Sequence, residues 1–116
     1  ATFFINSDLV GDGALISWAD VRTIAGAGME IGGHSKTHAH LPVLPDTALA
    51  DEVVGDKANI EHETGRMITV FAYPFQERDT RTDAVVHGAG YTTVRDGNGY
   101  RSAVMKNSFD TFLAAI

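Results

Sequence analysis

Short apolar runs of strand length alternate along this chain with longer stretches whose apolar residues recur at helical spacing. That is the pattern of successive βα units. Thr2 to Ile5, two phenylalanines and an isoleucine in a row, predicts a buried strand. Asn6 to Gly13 is rich in Asn, Asp and Gly and predicts a loop. Ser17 to Asp20 has the form of a capping box, and Trp18, Val21, Ile24 and Ala25 then fall on one helical face. Gly26 and Gly28 supply the left-handed turn that ends this helix, and Met29 to Ile31 predicts the next strand. Pro42 and Pro45 keep the following region non-helical. Asp46 or Thr47 then caps a longer helix, with Leu49, Val53, Ile60 and the stem of Lys57 on one face and Gly65 at its end.

Met67 to Phe71 predicts a third strand. Thr80 to Asp83 repeats the capping pattern and opens a short helix through Val86, closed by Gly88 or Gly90. Tyr91 to Val94 predicts a fourth strand, and Asp96-Gly97-Asn98-Gly99 a turn. Ala103 to Met105 is a candidate fifth strand, and Ser108 a candidate cap for a last helix from Phe109. The expected product is one α/β domain over residues 1–116, with mainly parallel strands and helices packed outside. Such a row fits an open sheet or part of a distorted (β/α) barrel.

Charge narrows the partners. Against 15 Asp and Glu there are 9 Lys and Arg, a formal net charge of −6, so no basic face for nucleic acid is expected. The longest apolar run, Phe112 to Ile116, is five residues, far short of a membrane span. The absence of cysteine excludes disulfides, thiolate metal sites and a Cys nucleophile.

Sites in parallel α/β folds collect where strands end. After the second strand comes Gly32-Gly33-His34-Ser35-Lys36-Thr37-His38-Ala39-His40, which holds three of the five histidines. His34 and His38 are four apart, a spacing that on a helical turn lets two imidazoles converge on one divalent transition metal. The same spacing also suits solvated loop histidines, and His40, two residues on, is expected to point elsewhere. After the third strand, Tyr73-Pro74-Phe75 reads either as a half-exposed aromatic wall for a flat ligand or as cover for the sheet rim. The carboxylates Asp51, Glu52, Asp56, Glu61 and Glu63 read as a solvated helix face, and His62 and His87 carry no functional signal.

At these motifs the chain resembles the polysaccharide deacetylase family, the NodB-homology domains among the carbohydrate esterases. The stretches that carry the resemblance are ATFFI at the start, GMEIGGHSKTHAHL over Gly28 to Leu41, FAYPF over Phe71 to Phe75 and GYTTVR over Gly90 to Arg95. The resemblance implies a distorted or partial (β/α) barrel and a metal-dependent hydrolase that removes N-acetyl groups from an amino-sugar polymer. It implies His34 and His38 as ligands to Zn²⁺ or another divalent transition metal. It makes Tyr73, Pro74 and Phe75 one wall of the sugar groove, and the Phe75 backbone N–H an oxyanion contact. It also implies a secreted or cell-envelope location.

The family pattern places an acidic T-F-D-D motif, base and third ligand, on a strand before this chain's first. A Trp-containing motif and a general-acid His should follow the last. Neither occurs here, and Ala72 stands where many members have Arg. The expectation is therefore a domain truncated at both ends, whose first strand exposes a sheet edge open to self-association. The alternative is a non-catalytic relative that binds carbohydrate or metal.

Overall fold

The computed structural model describes residues 2–12 and 15–95 and the backbone of residues 101 and 102. Strand β1 is Thr2–Ile5, β2 Glu30–Gly33, β3 Val70–Ala72, β4 Thr93–Arg95 and β5 Arg101–Ser102. They form one sheet in the order β4-β3-β2-β1-β5, and every pairing is parallel. The helices are α1 Trp18–Gly26, α2 Asp46–Ala50, α3 Asp56–Thr64 and α4 Thr80–Gly88. The described strands form an all-parallel sheet that does not close on itself, the arrangement of a partial (β/α) barrel. Among the described residues no helix is long and apolar enough to cross a membrane.

Alternation along the strands sorts the two faces. Phe3, Ile5, Ile31, Phe71 and Tyr73 meet Val21, Ile24, Leu49, Val53, Ile60 and Val86 from the helices in one buried cluster. Phe4, Val70 and Ala72 form a smaller cluster on the other face. Close approach explains the paired glycines of β2. A Cβ on Gly32 would lie 2.6 Å from the Phe4 ring and 2.8 Å from the Val70 carbonyl oxygen, and one on Gly33 only 1.9 Å from the Tyr91 hydroxyl.

The first capping box forms as expected: the Ser17 hydroxyl accepts from the Asp20 N–H at 3.2 Å and the Asp20 carboxylate accepts from Ser17 N–H at 3.2 Å. Gly28, at φ 86°, makes the left-handed turn after α1. The long helix is built differently from the uninterrupted one expected. A wider π-helical turn, Asp51–Gly55, joins α2 to α3, and Pro45 is the residue at its cap. Gly65, at φ 68°, closes it.

Three boundaries move for local reasons. β3 begins at Val70 rather than Met67, because Ile68 N–H donates to the Glu61 carboxylate at 2.9 Å and Met67 is 84% exposed. The cap of α4 is Asp79, one residue before the expected Thr80. Its carboxylate accepts from Thr82 N–H at 2.8 Å while its own N–H donates to the Thr82 hydroxyl at 2.8 Å. β4 begins at Thr93 because Tyr91 turns into the core and both Thr92 and Thr93 N–H donate to the Thr69 carbonyl.

β1 is not the open edge that was expected. β5 pairs with it, Phe3 opposite Arg101 and Phe4 opposite Ser102. The expected turn at Asp96-Gly97-Asn98-Gly99, the strand Ala103 to Met105 and the helix after Ser108 lie outside the described residues.

Candidate functional site

β2 delivers His34 to the C-terminal end of the sheet. Counting from Ile31 on the helix-packed face, alternation turns Gly32 and His34 to the opposite one. There the imidazole lies 6.2 Å from the Phe4 ring. It is 1% exposed. Its Nδ1 is 2.6 Å from the Ala72 carbonyl oxygen at the end of β3. A carbonyl only accepts, so Nδ1 carries the proton and the lone pair sits on Nε2. This is the arrangement that second-shell partners impose on metal-binding histidines.

The loop after β2 folds back so that the His34 and His38 rings approach edge to face, centroids 4.8 Å apart. Ser35 at φ 69° and His38 at φ 59° produce that reversal in the left-handed region, which non-glycine residues seldom adopt. Burial holds His34 well below the usual imidazole value, down to about 4; the Ala72 hydrogen bond opposes this and His38 adds to it. His38 is lowered as well, by burial first and by nearby His40 second. Both rings are therefore neutral near pH 7, the form a metal requires.

The loop after β3 supplies the opposite rim. Pro74–Gln76 makes one tight turn that is left-handed at Phe75, φ 58°, and Gln76, φ 56°. The Phe75 ring is half-exposed, meets His38 edge to face at 4.6 Å and stacks on His40 at 4.0 Å. His40, expected to point away, does turn aside: its Nδ1 pairs with the Glu77 carboxylate at 2.7 Å.

The aromatic wall needs correcting. Tyr73 and Pro74 are buried, and only Phe75 of the three is exposed. The parity of β3 explains this, since Tyr73 shares the face of Phe71 and points under the helices. Its hydroxyl donates to the Asp83 carboxylate on α4 at 2.6 Å. His34, His38 and Phe75 are brought together, and the side chain of Tyr73 is not.

Two carboxylates assigned to a solvated face are also buried. Asp56 has no exposed surface and Glu52 is 8% exposed. Glu52 accepts from the Thr37 N–H at 3.3 Å and from the Thr37 hydroxyl. Asp56 accepts from Ser7 N–H at 2.8 Å and His34 N–H at 3.1 Å. Burial pushes Asp56 up to about 7 against the pull of these bonds. The signal was present in the sequence: Asp56 is three after Val53 and four before Ile60, inside the apolar stripe itself. Asn6, read as a loop residue, donates from Nδ2 to the carbonyls of His34 at 2.6 Å and Ser35 at 3.0 Å.

The family model for polysaccharide deacetylases matches residues 1–94. Comparison with curated proteins returns no match. Among solved structures, a polysaccharide deacetylase from Bacillus cereus is similar at 20% identity with a TM-score of 0.74, covering 99% of this chain and 41% of its own. A Streptococcus pyogenes deacetylase in complex with acetate gives 18% identity and a TM-score of 0.78, over 98% of this chain and 57% of its own. A CE4-family pseudoenzyme from Bacillus anthracis gives 23% identity and a TM-score of 0.72, over 81% of this chain and 32% of its own. At these identities the likeness is one of fold. The chain spans about two fifths of the length of the Bacillus cereus structure.

Proposed function

Because the chain belongs to the polysaccharide deacetylase family, we propose that it serves a hydrolase that removes N-acetyl groups from an amino-sugar polymer with the help of a divalent metal. The observation that carries this reading is the His34–His38 pair, with His34 fixed as a neutral Nδ1–H imidazole by the Ala72 carbonyl. Two neutral imidazoles at a strand end suit Zn²⁺ or another divalent transition metal. They are a partial set: among the described residues no group of three His, Cys, Asp or Glu side chains could hold an ion. A metal bound here would polarise the acetyl carbonyl and lower the pKa of a bound water.

The chain's own residues then position the substrate. The half-exposed Phe75 ring offers a flat face to a pyranose ring. The Phe75 backbone N–H, on the rim beside His38, is the candidate donor to the developing oxyanion. Pro74 opens the turn that presents Phe75, while Tyr73 turns away into the helix-packed core. The net charge of −6 disfavours an acidic polymer and is compatible with a neutral N-acetylated one. Such polymers belong to envelopes and extracellular matrices, so a secreted or cell-envelope location goes with this reading.

Calorimetric titration of Zn²⁺ tests it. The wild-type chain should take up about one equivalent, His34→Ala and His38→Ala should each lose nearly all of it, and His62→Ala should change nothing. Uptake that survives loss of His34 would place the metal elsewhere and remove the support for this reading.

A second reading has its own observation. The fold is shared with a protein described as a pseudoenzyme, so a non-catalytic relative that binds sugar or metal is the alternative. Acetate release from an N-acetylglucosamine oligomer by the zinc-loaded chain would exclude it; oligomer binding without release would favour it.

A further inference from the structure

A carboxylate with no exposed surface, placed directly behind a candidate metal ligand, requires an account beyond solvation or packing. Asp56 is the first residue of α3, immediately after the π-helical turn. Its two oxygens reach two different elements: Oδ1 accepts from Ser7 N–H just after β1, and Oδ2 from His34 N–H at the end of β2. One side chain thus ties together the C-terminal ends of neighbouring parallel strands. Asn6 holds the His34 carbonyl oxygen, and the Ala72 carbonyl holds the ring through Nδ1. The backbone donor, the backbone acceptor and the imidazole of His34 are therefore each fixed by a different part of the chain.

We propose that Asp56 is a positioning residue for His34, holding the imidazole in the orientation and tautomer that a metal would meet. Two acceptor atoms are needed to serve two N–H groups at once. An amide in the same place keeps one acceptor and turns an N–H₂ donor toward the other N–H, leaving a buried donor opposed. Once Ser7 and His34 lose their common anchor, the end of β2 is free to rotate, and the bond from Nδ1 to Ala72 loosens with it. A purely structural role predicts lost stability and nothing more. A positioning role predicts a change at the His34 ring itself.

The experiment compares the wild-type chain with Asp56→Asn and with Ile24→Ala, which opens the core on α1 away from the site. The first readout is the nitrogen-15 signature of the His34 imidazole in metal-free protein. The second is Zn²⁺ affinity by calorimetry, which rests on the metal reading above. Asp56→Asn should lose the fixed Nδ1–H signature and weaken Zn²⁺ binding 10- to 100-fold, the range seen when outer-shell partners of metal ligands are removed. Ile24→Ala should lower the melting temperature and leave both readouts in place.

An Asp56→Asn variant that keeps the Nδ1–H signature and binds Zn²⁺ within twofold of wild type overturns the proposal. So does an Ile24→Ala variant that alters the His34 ring as much. If the wild type binds no Zn²⁺, the metal reading fails and the tautomer readout alone decides the role of Asp56. Should Asp56→Asn not fold, Asp56→Ser, which removes the buried charge and keeps one acceptor, takes its place with the same expectations.

Discussion

Tyr73 and Phe75 are two residues apart in one motif, yet they should respond to substitution in opposite ways. Tyr73→Phe removes a buried hydroxyl that donates to Asp83 at 2.6 Å. A hydrogen bond to a charged acceptor contributes about 1.5–3 kcal/mol, and that stability should disappear from a denaturant melt while oligosaccharide binding is unchanged. Phe75→Ala takes away a half-exposed ring, so it should leave the melt within about 1 kcal/mol of wild type and weaken oligosaccharide binding. An effect of Tyr73→Phe on sugar binding would restore that side chain to the groove wall. His34 and Asp56 act on stability in opposite senses. His34 falls from 6.5 to about 4 on folding, so the unfolded chain binds the extra proton and stability is lost as pH drops from 6.5 toward 4. Asp56 rises from 3.8 to about 7, so the folded chain binds the extra proton and stability is lost as pH rises from 3.8 toward 7. Between pH 4.5 and pH 6.5 the two effects oppose each other, so in metal-free wild type each masks part of the other. His34→Ala removes one of the two, so its melting temperature at pH 4.5 relative to pH 6.5 should be higher than the wild type's; an unchanged pH dependence for that variant would show that His34 does not carry the shift.

At the scale of elements, apolar pattern located nearly everything and side-chain hydrogen bonds set the boundaries. The run Thr2 to Ile5 and the face formed by Val21, Ile24 and Ala25 were legible because burial alone dictates them. The cap of α4 was misplaced by one residue, since Thr80 and Asp79 both satisfy the composition rule and only geometry shows Asp79 and Thr82 bonding reciprocally. Asp79→Ala removes that reciprocal cap and should cost about 1 kcal/mol, read from a denaturant midpoint; a loss below about 0.3 kcal/mol would mean that the α4 terminus is held by packing instead. The approach of His34 to His38 was legible for a related reason: a histidine pair directly after a strand has few places to go. Asp56 was not, because a carboxylate in a helix reads as solvated unless its own position in the apolar stripe is given more weight than its charge. Tyr73 was not, because strand parity depends on where the strand begins.

Across the molecule, the sheet divides the work between its faces. One is closed by α1, α2, α3 and α4, with a cluster from Phe3 to Tyr91. The other carries Phe4, Val70, Ala72 and, at its upper end, His34. Zinc held by two imidazoles of this chain should bind more weakly than the ~10 kcal/mol at the lower limit for structural zinc sites, and a tighter isotherm would reveal a further ligand. Among the described residues, the non-glycine positions in the left-handed region, Ser35, His38, Phe75 and Gln76, lie in the two loops that bring the histidines and Phe75 together. Each conformation costs of order 1–3 kcal/mol and persists only while the surrounding contacts enforce it. On warming, those loops therefore have the most to gain by relaxing while the sheet beneath them is still intact. Heating would then begin with a loss of aim: the cluster of His34, His38 and Phe75 disperses first, in a chain that spectroscopy of its backbone still reports as folded.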